Sequence, residues 1–269
     1  MSRKLSKSER SLIKDLYRIG AIKFGNFTLK SGKKSPYYID LRILSSYPSV
    51  LSDTGKIMGR KIRRLSEEPN RLCGIPAAGL AIANAISLRT GIPVCYTRKE
   101  PTIYKDLAKH LHQIFTLKIK EKTEHHFTFD YRDGYGDGFQ DAIEEVEKLS
   151  GFKTHGITRY VDGEMKEGDK ILLIDDLITT ATSKLEARDL VHLEAERRKI
   201  NVDVTGVYVL IDREQGGKET LEKEDLPLYS IATIREVASV LKEDGILDEK
   251  LYKTIVDYTL AERKTLGLE

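Results

Sequence analysis

The sequence contains little that would staple, anchor or strongly charge the chain. Its 269 residues include two cysteines, Cys73 and Cys95, too few for a disulfide framework. Both sit in apolar runs, LCGI and PVCY, and are expected as buried thiols in a reducing compartment rather than metal ligands. No apolar run approaches the ~18 residues needed to cross a bilayer. Met1 to Gly20 lacks the apolar stretch and small-residue cleavage pattern of a signal peptide, so a cytoplasmic protein without a membrane partner is expected. Neither sign of charge prevails: 45 basic against 42 acidic side chains leave +3, which gives no chain-wide footprint for nucleic acid. Any anion site must therefore be local. No GxxxxGK[ST] loop, GxGxxG turn, internal repeat or low-complexity tract is present. What remains is a chain long enough for one large α/β domain or a domain with a sizeable insertion.

Ser6 and Glu9 form a capping-box pattern ahead of Leu12, Ile13, Leu16 and Tyr17, which share a helix face; Gly20 stops that helix. Residues 21 to 42 alternate short β-like runs (IKF, FTL, YYID) with turn residues and predict antiparallel hairpins in a small N-terminal lobe, residues 1–45. From Pro48 helices alternate with apolar strands: a helix to about Leu65, RLCGI, LAIANAISLRT, PVCYT, KILLID, a helix from about Ser183 to Arg198, VDVTGVYVLID, LYSIAT and a C-terminal helical region. Such alternation implies a parallel sheet covered on both faces, a doubly wound α/β core. Between Pro101 and Phe152 the pattern breaks into helix, hairpin and helix, which reads as an insertion of residues 101–152. Its His110 and His112 fall on different helix faces, which disfavours a shared metal. The stretch Asp133 to Glu144 matches a calcium loop only in part, since Tyr135 and Gln140 interrupt it.

The chemistry concentrates after the strand Ile171 to Ile174. Asp175 and Asp176 come first, then Leu177-Ile178-Thr179-Thr180-Ala181-Thr182-Ser183, then a helix. Ligands of open α/β sheets sit beyond the carboxyl ends of strands, and a helix N-terminus there offers free N–H groups to an anion. The hydroxyls of Thr179, Thr180, Thr182 and Ser183 add donors. Carboxylates beside a phosphate repel it unless they hold a cation or accept bonds from sugar hydroxyls, so phosphate and ribose together explain the run. Taken alone it is also what an acidic turn with a Thr/Ser helix cap looks like.

The run resembles the 5-phosphoribosyl-1-pyrophosphate (PRPP) motif of type I phosphoribosyltransferases. That resemblance implies that Asp175 and Asp176 hold the ribose hydroxyls and that residues 179 to 183 wrap the 5-phosphate. Ala181 stands where the family usually has glycine, placing a methyl where backbone approaches phosphate. The stretch FGNFTLKSGKKSPYYIDLR, Phe24 to Arg42, is similar to the signature of the orotate phosphoribosyltransferases over nearly its whole length. By resemblance Lys30 reaches orotate and pyrophosphate, and Tyr37 and Tyr38 line the base pocket. Gly74 to Leu80 resembles the pyrophosphate loop, with Ala77 and Ala78 at its turn, and Arg213 resembles the arginine that contacts the orotate carboxylate. The family's mobile catalytic loop is split here: Arg98-Lys99-Glu100 precede the insertion and Lys153-Thr154-His155-Gly156 follow it.

The resemblance implies a type I phosphoribosyltransferase-like doubly wound sheet in one domain, with a hood (1–45) and a helix-hairpin-helix insertion in the catalytic loop. It implies transfer of the phosphoribosyl group of PRPP to orotate, with Lys99, Lys153, His155, Asp175 and Asp176 in the reaction centre. It also implies Mg²⁺ held mainly through substrate and water near Asp175 and Asp176, and a homodimer. Two alternatives stand beside it: a catalytically silent PRPP sensor, and a phosphoribosyltransferase for another base. No second pathway enzyme is expected after Arg213, since only one strand and helices follow.

Overall fold

The computed structural model describes residues 4–28, 32–98 and 159–268. Met1–Arg98 and Tyr160–Glu269 form one compact unit, separate from Lys99–Arg159. Lys30, Lys99, Lys153, His155 and the insertion with its histidines and partial calcium loop lie outside the described residues.

Helix α1 (Lys7–Arg18) opens as its sequence predicts: Ser6 Oγ accepts from Glu9 N–H and the Glu9 carboxylate accepts from Ser6 N–H. A capping contact of this kind is worth ~1 kcal/mol. β1 (Ile22–Thr28) and β2 (Lys34–Ile39) pair antiparallel, with a register shift between Phe24 and Phe27. The two runs expected as separate β pieces thus form one bent strand. Gly25, at φ 148°, supplies a backbone conformation that a side chain would resist. A 3₁₀ turn (Leu41–Ser46) leads into α2 (Pro48–Ile62), which starts on proline.

The core sheet is built from β3 (Arg71–Gly74), β4 (Val94–Thr97), β5 (Val161–Asp162), β6 (Asp169–Ile178), β7 (Val202–Asp212) and β8 (Leu228–Thr233). Their order is β5-β4-β3-β6-β7-β8, with every pair parallel except β4 with β5. α3 (Ala78–Thr90) crosses from β3 to β4, and α4 (Thr182–Arg198) crosses from β6 to β7. After β7 come the short α5 (Gly217–Glu222), then β8, α6 (Ile234–Glu243) and α7 (Glu249–Thr265).

Central strands are apolar on both faces because both are covered. On β6, Ile171 and Leu173 pack with Ala187, Val191 and Ala195 of α4. Leu172 and Ile174 point the other way, into a cluster with Ile57 and Met58 of α2 and Ile82 and Ile86 of α3. Cys73 and Cys95 are buried free thiols in register on β3 and β4. At the sheet edge Arg98 N–H donates to Tyr160 O at 2.9 Å, so the chain leaves and re-enters the fold at one point.

Candidate functional site

The strand order reverses between β3 and β6: α3 carries the chain to one side of the sheet and α4 to the other. At such a switch point the two strand-to-helix loops splay apart and leave a crevice beyond the carboxyl ends. Ile75 N–H donates to Ile174 O at 2.9 Å, which ties the two loops together at their base. Gly79 makes this approach possible, since a Cβ there would lie 2.3 Å from Ile174 O and 2.9 Å from Asp175 Cα. The expected 74–80 loop is the short turn of residues 75–77 between β3 and α3, and this turn, the first residues of α3 and the acidic pair therefore face one crevice. The Pro76–Ala77 peptide bond in that loop is cis.

β6 runs further than the expected strand, to Ile178, so the two aspartates belong to its final residues and the loop begins at Thr179. α4 starts at Thr182 rather than Ser183. Its N-cap Ala181 and the N-cap Ala77 of α3 provide no side-chain cap, whereas α1, α6 and α7 are capped by Ser6, Thr233 and Asp248. Both loops of the crevice thus end on helix N-termini whose first N–H groups have no side-chain cap, the arrangement that receives an anion. Thr180, Thr182 and Ser183 are exposed and Thr179 is half-buried. The methyl of Ala181 is 1% exposed and packs in the apolar cluster beneath α4, and its φ of −81° suits any residue. That methyl faces the core.

The two aspartates differ in their surroundings. Lys184 Nζ lies 2.6 Å from Asp175 Oδ2, with the two side chains 5% and 9% exposed, and it also donates to Leu177 O at 2.7 Å and Ser183 Oγ at 3.2 Å. One buried ammonium therefore joins the carboxylate to both ends of the hydroxyl loop. Among the described residues Asp176 has no ion pair of this kind. Burial, then the like charge and hydrogen bonding of Asp175, push its carboxyl up to about 7, despite a bond from Leu177 N–H that favours ionisation. A pair so divided presents one fixed acceptor and one that gains or loses a proton near neutrality.

Arg213 follows β7 directly. Its Nη1 reaches Thr179 Oγ1 at 3.4 Å and its guanidinium carbon lies 5.3 Å from the centre of the Tyr37 ring. The β1–β2 hairpin is thereby joined to the 179–183 loop through one planar cation. The tyrosine pair is split by strand alternation: Tyr37 is 1% exposed, edge-on to Tyr258 of α7, while Tyr38 is 39% exposed and leans on Phe27. Arg98, just past the end of β4, pairs with Asp162 at 3.3 Å. Sequence reasoning missed Lys184, which reads as one more surface charge on α4, and it also missed Tyr258 and Glu262 of the last helix. A shallow depression of about 390 Å³ between Arg63, Glu68 and Gly91–Pro93 lies at the opposite, amino ends of β3 and β4, away from this chemistry.

No family model matches the chain. It is 28% identical over 231 residues to an orotate phosphoribosyltransferase of Pyrococcus horikoshii, covering 86% of this chain and 94% of that one. It is 29% identical over 252 residues to one of Staphylothermus marinus, covering 94% and 95%. Among solved structures, a UMP synthase of Leishmania donovani superposes with a TM-score of 0.64 at 25% identity, over 93% of this chain and 42% of that one. At these identities, over most of the length of both chains, the chain is a homologue of the orotate phosphoribosyltransferases, built on the type I phosphoribosyltransferase fold.

Proposed function

We propose that the chain transfers the phosphoribosyl group of PRPP to orotate, releasing pyrophosphate and forming orotidine 5'-monophosphate for pyrimidine synthesis. The observation that carries this is Arg213, which spans from Thr179 of the phosphate loop to the ring of Tyr37 in the hood. A planar cation there meets an anionic planar base next to the ribose site.

In this reading the ribose hydroxyls donate to Asp175 and Asp176, and the 5-phosphate sits on the N-terminus of α4 among Thr179, Thr180, Thr182 and Ser183. The pyrophosphate meets the backbone of Ala77 and Ala78. The base nitrogen attacks the anomeric carbon, the bond to pyrophosphate breaks, and no protein nucleophile is needed. Catalysis rests on holding the reactants in line and on offsetting charge on the leaving group. Lys30, Lys99, Lys153 and His155 are assigned to that second task, with Arg98 at the root of the loop that bears Lys99.

The donor set suits Mg²⁺ carried by substrate. Among the described residues no group of three or more His, Cys, Asp or Glu could hold a metal, and Asp175 is already engaged by Lys184. Mg²⁺ prefers to keep its waters and bind through substrate phosphates and one or two carboxylates, here beside Asp176. Bound that way it would neutralise the departing pyrophosphate. We further propose a homodimer, a hood of residues 1–45, and an insertion of residues 101–152 within the catalytic loop. None of the helices among the described residues is long and apolar enough to cross a membrane.

The test is spectrophotometric: orotate is consumed when the chain is given PRPP and Mg²⁺. Calorimetric PRPP binding without orotate consumption would replace this reading with the silent sensor.

A further inference from the structure

Helix α7 lies outside every motif assigned above, yet it packs against the base side of the crevice. Glu262, 16% exposed, receives Lys33 Nζ at 2.7 Å from the hood turn and Gln215 Nε2 at 3.4 Å from the segment that follows Arg213. One turn earlier, Tyr258 stands edge-on to Tyr37 at 5.8 Å between centres. One residue later, Arg263 pairs with Glu219 of α5 at 2.9 Å. The end of α7 therefore grips both the hood and the strand-end segment, two pieces of chain that are far apart in sequence.

That spacing matters for Arg213. Its Nε is buried without a hydrogen-bond partner among the described residues, and the bond from its Nη1 to Thr179 is long, at 3.4 Å. The orientation of the guanidinium is thus set largely by the Tyr37 ring beneath it, and the ring's position by the hood and Tyr258. The Tyr258 hydroxyl and Gln215 Oε1 are likewise buried without partners among the described residues, so the cluster is held by few polar contacts. Glu262 accepts two of them.

We propose that Glu262 is a positioning residue for base recognition, acting through Lys33 and Gln215 to hold Tyr37 and Arg213 in the geometry that receives the orotate carboxylate. This rests on the proposed orotate reaction. Removing the Glu262 carboxylate loosens the base site while the Asp175, Asp176 and Lys184 constellation, carried by β6 and α4, is untouched. The expected signature is a separation of the two Michaelis constants.

Glu262→Ala is expected to raise KM for orotate about fivefold or more while KM for PRPP stays within about twofold. Glu262→Lys is expected to be worse, because it sets two cations together. The double exchange Lys33→Glu with Glu262→Lys is expected to recover most of the loss, since the swapped pair attracts again and the ammonium now on α7 can donate to Gln215 Oε1. An orotate KM unchanged in Glu262→Ala, equal rises in both constants, or no recovery in the double exchange would each overturn the positioning role. A native chain that consumes no orotate would instead overturn the proposed function.

Discussion

Replacing Asp176 by asparagine is expected to stabilise the ligand-free fold while abolishing the reaction. The asparagine keeps the oxygen that accepts from Leu177 N–H, a 2.8 Å bond in the native chain, and its amide can donate to Asp175. What disappears is a carboxyl whose midpoint stands at about 7 in the fold against an ordinary 3.8. Between those pH values the folded chain holds a proton that the unfolded chain has released, so this residue makes stability fall as pH rises from about 4 to about 7. A gap of about three pH units corresponds to ~4 kcal/mol. Because Asp176 keeps some access to water and is coupled to Asp175, about 2 to 4 kcal/mol is the expected gain for Asp176→Asn at pH 8, vanishing near pH 4. Guanidinium unfolding at both pH values measures it, and orotate consumption in the same preparations is expected to fall at least about a hundredfold. Equal or lower stability of the variant at pH 8 would refute the picture of a carboxyl held against its preference for use by the ribose.

Other substitutions probe the neighbouring parts. Lys184→Met leaves Asp175 buried beside Asp176 without its cation and is expected to cost about 3 to 5 kcal/mol in guanidinium unfolding; a loss under ~1 kcal/mol would mean that the pair contributes little. Arg213→Lys keeps the charge but not the planar fork beside Tyr37, so KM for orotate is expected to rise about tenfold or more with KM for PRPP little changed, as steady-state kinetics would show. Gly79→Ala drives a methyl into Ile174 O and Asp175 Cα, and is expected to lower stability by about 1 to 3 kcal/mol and to weaken PRPP binding in calorimetry.

Much of this site was legible because it is local. The runs VDVTGVYVLID and LYSIAT match β7 and β8 residue for residue, since β-branched and apolar runs between turn signals leave few alternatives. The capping box of α1 was equally plain. In sequence an Asp-Asp pair reads as the end of a strand, yet pairing with β7 carries β6 through it to Ile178. The two-residue β5 has too few residues to show a period. Tyr37 and Tyr38 read as equals in a motif, and only the pleat sends one inward and the other out. Lys184 and Glu262 left no local trace: each acquires its role from a carboxylate or ammonium brought near by the fold, in the case of Lys33 and Glu262 from 229 residues away.

The bond from Arg98 N–H to Tyr160 O closes the sheet edge like a clasp. Where two chain positions are held that near, the entropic cost of closing a loop between them grows only with the logarithm of its length, ~0.6 kcal/mol for each doubling. Length added at this edge therefore costs the assembly of β3, β6 and β7 little.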